Sequence, residues 1–371
     1  MDITFLVAYE QSPYSGAARP FINWAKALGD RATIILYSCS SRMNNSLHDL
    51  GRVTGFKLIS SNNFHTLTGK LRETSCIFSD DYFSRLDLLF RIQEETGAKS
   101  AIYTQILHGI HSIARSFDKS TVDGKQRMLF SLASFMPFKL ISYKYSIALG
   151  KADKLVANSG FTASMSSLLY GVEVDDVIYP PIDTDVFKPS DIHANANEVI
   201  LYLGSNAGDT NSGLISQIMK ALIGLDSVDK VNLFGNIAIH KHQKSLFDHS
   251  KVHRLEEISD TELAQKYSQC VLTVTPQNWE TFGYVQMESI LCGTPVLTLA
   301  TTPSAELVQN KDVMNLAHNR TGFVEILRNL LTHPDNLRSK KHTCLQFREE
   351  LLCSVSPEHS AEKLVSILSQ S

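Results

Sequence analysis

Several protein classes are excluded by what this sequence lacks. Its 371 residues contain only six cysteines and no C-x-x-C pair. A disulfide scaffold and a zinc-finger spacing are therefore absent, and the cysteines read as buried thiols in a reducing compartment. Nowhere do 18 apolar residues run without interruption, so no helix is expected to span a bilayer. Neither charge sign dominates: 35 basic against 38 acidic residues give −3, and no nucleic-acid partner is expected. Met1-Asp2 leads straight into Ile3–Ala8 without a basic leader, which points to a cytoplasmic protein. Short tandem repeats are missing too.

What is present is a globular composition, 43% hydrophobic and 20% charged, long enough for roughly two domains at about 150 residues each. Short β-rich runs alternate with helical spacings. Ile3–Ala8, Thr33–Tyr37, Ala101–Leu107 and Lys154–Ala157 read as strands, and Phe21–Leu28 as a helix. The second half repeats the style, with strands at Val199–Leu203, Lys230–Phe234, Val271–Val274 and Pro295–Leu299 and helices at Leu214–Leu222 and Tyr284–Leu291. Ser259 and Glu262 fit a capping box for a helix reaching about Gln269. The alternation predicts an α/β protein of two Rossmann-like, doubly wound domains facing a central cleft.

Tyr179-Pro180-Pro181 cannot continue a helix, and a polar run follows Pro189, so the hinge is expected near 182–197. The expected domains are 1–190, 191–355, and a C-terminal helix at 356–371 that packs back on the first domain. Ser356-Pro357 opens that helix, with Ala361, Leu364, Val365 and Leu368 on its apolar face. In open α/β sheets ligands bind beyond the carboxyl ends of the strands. The loops to watch are therefore Tyr9–Gly16, His108–His111, Gly204–Gly213 and Pro276–Tyr284.

The most informative stretch runs from Pro276 to Val296 and reads strand, loop, helix, turn, strand. Glu280 falls in the loop and Glu288 in the helix. Gly283 lets the backbone approach a ligand and leaves N–H groups free at a helix start, where anions bind. Carboxylates there accept hydroxyl hydrogen bonds, so the combination suits a ligand carrying both hydroxyls and phosphate. Acidic residues near a helix start also favour the macrodipole with no ligand at all.

The segment Glu280-Thr281-Phe282-Gly283, with Glu288 and then Cys292-Gly293-Thr294-Pro295-Val296, resembles the donor signature of retaining GT-B glycosyltransferases of the family 4 type (glycosyl transferases group 1). Thr281 stands where that family has glycine. Ala152 to Ser159, Gly171-Val172 and Val177 to Pro189 resemble the family's passage between domains, and Ser15-Gly16-Ala17-Ala18-Arg19 its first glycine loop. The resemblance implies transfer of a sugar from an activated, nucleotide-sugar donor to an acceptor hydroxyl, with retention and without metal or cofactor. The acceptor would be a glycan, a lipid-linked or a small molecule.

In the catalytic centre so implied, Glu280 meets the donor-sugar hydroxyls and His108 lies near the sugar, with His111 as its near neighbour. Glu288 holds the ribose, the amides of Phe282, Gly283 and Tyr284 face phosphate and sugar, and Gly16 lets the first loop approach the phosphate. After Val199–Leu203 the family places Gly-Arg and a later lysine; here the loop is Gly204-Ser205-Asn206-Ala207-Gly208-Asp209-Thr210-Asn211. Ser205, Asn206 and Asn211 are the candidate replacements, or cations come from Arg19, Arg115, Lys241 or Lys244. The alternative reading is a catalytically impaired GT-B-like binding subunit, or a partner of another glycosyltransferase. Residues 125–154 carry six basic residues against one acid, interleaved with aromatics. They read either as an amphipathic core helix with a solvated face or as a peripheral membrane contact.

Overall fold

The computed structural model describes residues 1–8, 16–37, 57–61, 63–71, 74–105, 137–190, 197–204, 212–235, 244–256, 258–278 and 280–370. His108, His111, Ser205, Asn206 and Asn211 lie outside them, as do Arg115 and Lys241 and the first part of the basic segment.

In chain order the first unit contains β1 (Ile3–Ala8), α1 (Arg19–Leu28), β2 (Ala32–Tyr37), β3 (Lys57–Ser61), α2 (Phe64–Gly69), β4 (Cys76–Asp80), α3 (Phe83–Thr96), β5 (Lys99–Thr104), α4 (Pro137–Leu149), β6 (Lys154–Ala157), α5 (Gly160–Tyr170) and β7 (Asp176–Val177). Among the described residues these strands form one parallel sheet ordered β3-β2-β1-β4-β5-β6-β7. The second unit contains β8 (Glu198–Tyr202), α6 (Ser212–Gly224), β9 (Lys230–Phe234), α7 (Lys244–Phe247), β10 (Val252–Arg254), α8 (Asp260–Gln269), β11 (Leu272–Thr275), α9 (Tyr284–Leu291), β12 (Val296–Leu299), β13 (Met314–Ala317), α10 (Arg320–Thr332) and α11 (Pro334–Val355). Its sheet is parallel throughout, ordered β10-β9-β8-β11-β12-β13. This 3-2-1-4-5-6 order is the dinucleotide-fold arrangement. Helix α12 (Pro357–Ser369) closes the chain.

Burial explains why these runs became strands. β4 and β11 are buried along their whole length, as parallel strands covered on both faces must be. The first core packs Phe5, Phe21, Trp24, Phe78 and Tyr103 around one another, with ring centroids 5.0 Å apart for Trp24 and Tyr103. Burying one such ring contributes about 1.5–3 kcal/mol. The second core joins α6 and α10 to the sheet through Leu214, Ile218, Leu222, Phe323 and Leu327. Cys76, Cys270, Cys292 and Cys344 are buried free thiols; Cys353, expected to be buried like them, is exposed on α11.

Among the described residues, the chain crosses from the first unit to the second at Asp183–Thr184 and returns at Cys353–Ser354. The outward crossing falls in the stretch 182–197, and just beyond it Phe187 packs against Tyr267 and the Ser190 N–H donates to Ser268 Oγ at 3.2 Å. The return is fixed by side chains of α12. Its Ser356 cap accepts from the His359 N–H, and Ala361, Leu364 and Leu368 are buried. Trp24 Nε1 of α1 donates to Ser360 Oγ at 2.7 Å. No described helix is long and apolar enough to cross a membrane.

Candidate donor site

The strand order places a topological switch point between β8 and β11, whose neighbours lie on opposite sides. Four carboxyl ends meet this edge: β8 at Tyr202, β9 at Phe234, β11 at Thr275 and β12 at Leu299. Backbones run close together here. The Leu203 N–H donates to the Phe234 carbonyl at 2.9 Å. Gly235 has φ +99, and a Cβ on it would sit 2.7 Å from the Gly204 carbonyl oxygen; no other residue type fits between these two loops.

The loop after β11 carries the acidic candidates. Gly283, buried, takes φ +103 as the N-cap of α9, and no side chain caps that helix. Its first-turn amides form a helix N-terminus, the arrangement that attracts phosphate oxygens. A Cβ on Gly283 would meet Gln286 Oε1 and Ser304 Oγ, each at 2.9 Å. Phe282 is buried and packs edge-on against Tyr284, centroids 5.4 Å apart. Glu280 is half-buried, and its Oε2 accepts from Gln286 Nε2 at 2.8 Å.

Glu288 lies one turn further along α9 and is 1% exposed. Tyr267 of α8 donates its hydroxyl to Glu288 Oε2 at 3.3 Å. The other end of α8 is closed by a capping box, where Ser259 Oγ accepts from the Glu262 N–H and Glu262 Oε2 accepts from the Ser259 N–H at 2.9 Å. Below this layer Lys341 of α11 donates to the carbonyls of Ser268 and Cys270, at 2.9 and 2.7 Å, and to Thr294 Oγ1 at 2.9 Å. Burial pulls its ammonium down to about 8. Burial also pushes the neighbouring Cys270 thiol up to about 12 and raises Cys292 further, with Glu288 adding to the latter shift. These thiols are packing groups, not nucleophiles.

One loop and helix therefore bring together Glu280, Phe282, Gly283, Tyr284 and Glu288. Gly16 lies in an exposed turn leading into α1 of the first unit. Arg19 opens α1, and Lys244 opens the four-residue α7. Tyr267, Gln277, Gln286, Thr302 and Ser304 belong to the same edge and carried no signal in sequence. Tyr267 finds its partner 21 residues away in Glu288, Thr302 lies near Gln286 16 residues away, and the carbonyl of Tyr202 accepts from Gln277 Nε2 at 3.1 Å. Among the described residues no group of three or more His, Cys, Asp or Glu side chains is placed to hold a metal ion.

Residues 237–342 match the family described as glycosyl transferases group 1. The matched segment falls wholly within the second unit. Glu280, Gly283 and Glu288 all lie inside it. Curated relatives include D-inositol 3-phosphate glycosyltransferase 1 of Catenulispora acidiphila, 26% identical over 226 residues that make 54% of this chain and 54% of the relative. A D-inositol 3-phosphate glycosyltransferase of Mycobacterium bovis is 27% identical over 165 residues, 40% of this chain and 34% of the relative. The chain thus spans about half the length, or less, of the curated relatives it matches. Among solved structures, Anabaena HepE in complex with UDP and glucose superposes with a TM-score of 0.74 at 16% identity, over 100% of both chains. Sucrose-phosphate synthase from Thermosynechococcus elongatus gives 0.70 at 14% identity, over 100% of this chain and 98% of that one. The two Rossmann-like units have the GT-B fold of these structures.

Proposed function

We propose that the protein is a glycosyltransferase that moves a sugar from a nucleotide-sugar donor to an acceptor hydroxyl, with retention and without a metal. The observation that carries this reading is the glycine-led start of α9, flanked by Glu280 and Glu288 at the switch point of the second sheet. Such an edge suits a diphosphate with a sugar at one end and a ribose at the other. Glu280 receives the sugar hydroxyls, the α9 amides face the phosphate, and Glu288, oriented by Tyr267, receives the ribose. His108, Gly16, Ser205, Asn206 and Asn211 complete the proposed site.

In the transfer, the bond from the anomeric carbon to the phosphate oxygen breaks as the bond to the acceptor oxygen forms. The acceptor proton passes to the departing phosphate on the same face, which keeps the configuration. Charge grows on the phosphate, so donors preset around it lower the barrier most. The HepE structures contain UDP and UDP-glucose, which makes UDP-glucose the first donor to test.

The second reading, a binding subunit with impaired catalysis, is favoured by the loop after β8, where Ser205 stands in place of arginine and no lysine follows before Asn211. One experiment separates the two. Thermal unfolding is followed with UDP, GDP, ADP, TDP, CMP and their sugars, and donor hydrolysis is measured with and without EDTA. Stabilisation by one nucleotide with EDTA-insensitive hydrolysis supports the enzyme; stabilisation without turnover supports the binding subunit; no response to any ligand removes the nucleotide-sugar reading.

For the acceptor, the exposed Tyr143, Lys144 and Ile147 of α4 support a peripheral contact with a lipid-linked substrate. Failure to co-sediment with anionic vesicles at low salt would eliminate that contact.

A further inference from the structure

We propose that Gln286 is a positioning residue that holds the Glu280 carboxylate in its working orientation; the proposal rests on the role given to Glu280 above. Gln286 sits in the first turn of α9 and is fully buried. A residue at this point of a helix usually reaches back to the cap. Here its Nε2 donates instead to Glu280 Oε2 at 2.8 Å. Glu280, an acceptor-only carboxylate, fixes which end of the amide faces it.

The amide is braced from behind. Nε2 also lies 3.5 Å from Thr298 Oγ1 and from Thr302 Oγ1. Thr298 Oγ1 donates to the Thr275 carbonyl at 3.1 Å, and Thr302 Oγ1 is 2.8 Å from Ser304 Oγ. Two strand ends, β11 and β12, thus fix the amide, and the amide fixes a loop carboxylate. Gly283 wraps closely over it, since a Cβ there would come within 2.9 Å of Gln286 Oε1.

Gln286 Oε1 is buried without a hydrogen-bond partner. An unpaired buried acceptor costs stability, and a methionine would fill the same space without that cost. Packing alone therefore gives no reason for glutamine here, whereas a donor aimed at Glu280 does.

The test compares Q286M and Q286E in the wild-type and E280A backgrounds, with UDP-glucose as first donor and otherwise the nucleotide sugar that is turned over. For Q286M we expect kcat per folded molecule to fall about 10- to 100-fold, with donor KM changed less than about 3-fold, as a mispositioned group produces. In E280A the same change should cost nothing further. Q286E should recover toward low pH, where its protonated carboxyl donates again. An unchanged kcat in Q286M, or losses that multiply in the double variant, overturns the positioning role. Wild-type turnover in E280A instead overturns the role of Glu280. If no donor is turned over, crystal structures decide. The Glu280 carboxylate should leave its place in Q286M, and an unmoved carboxylate overturns the proposal.

Discussion

Glu280 and Lys341 show how differently two charged side chains of one unit behave. Glu280 is half-buried at a loop, so replacing it by alanine removes little packing. E280A should lose roughly 10²- to 10³-fold in turnover, while unpairing Gln286 costs only about 1 kcal/mol of stability. Steady-state kinetics beside urea unfolding checks both. Lys341 is a stability residue. Its folded-state value of about 8 lies below the 10.5 of an unperturbed lysine. Between those values the unfolded chain binds more protons, so stability rises with pH across that window, and the cost of burying the charge is fully present below it. The stability advantage of the wild type over K341M, read by urea unfolding, should therefore grow from pH 8 to pH 10. A flat difference would show that the amine is not desolvated when folded.

At the scale of elements, the turn into α9 is the most constrained piece of the site. G283A forces a Cβ against Gln286 and Ser304 at φ +103. It should cost on the order of 1–3 kcal/mol and abolish turnover, measurable as a lower unfolding midpoint and an inactive soluble fraction. Elements with strong local signals were legible in sequence. Ile3–Ala8, Lys154–Ala157, Lys230–Phe234 and Tyr284–Leu291 have the expected bounds, the Ser259 capping box forms, and Ser356 caps α12. The strand expected to reach Leu107 ends at Thr104. β10 was not legible because its three residues are only half-buried or exposed at a sheet edge, and so carry no apolar run. β3 and β4 fall in the stretch from Cys39 to Lys99, where the family resemblance is thin, and β4 ends in Ser79-Asp80, which reads as a loop. Both residues are in fact buried, and Asp80 pairs with Arg85. The site divides in the same way. Glu280, Gly283 and Glu288 stand out through the resemblance of their segment to the family signature, but Tyr267 and Gln286 acquire meaning only through contacts that the fold creates.

At the scale of the molecule, the first unit is discontinuous. Its core includes Leu364, Ile367 and Leu368 of α12 beside Phe21 and Trp24 of α1. Asn23 Nδ2 donates to the Pro181 carbonyl at 2.9 Å, and the Ile182 N–H donates to the Val355 carbonyl at 2.8 Å. Deleting residues 357–371 should therefore unfold the first unit while leaving the second folded. Hydrogen exchange should show protection lost in β1, β2, β4 and β5 and kept in β8, β9, β11 and β12. Protection retained in β1 would show that α12 is dispensable.

That arrangement also sets an order of birth on the ribosome. The second sheet has all its described strands in hand once residue 317 has emerged, while the half that was translated first must wait, with Trp24 uncovered, until α12 has followed. Nascent chains arrested short of α12 should accordingly be the ones that chaperones hold longest.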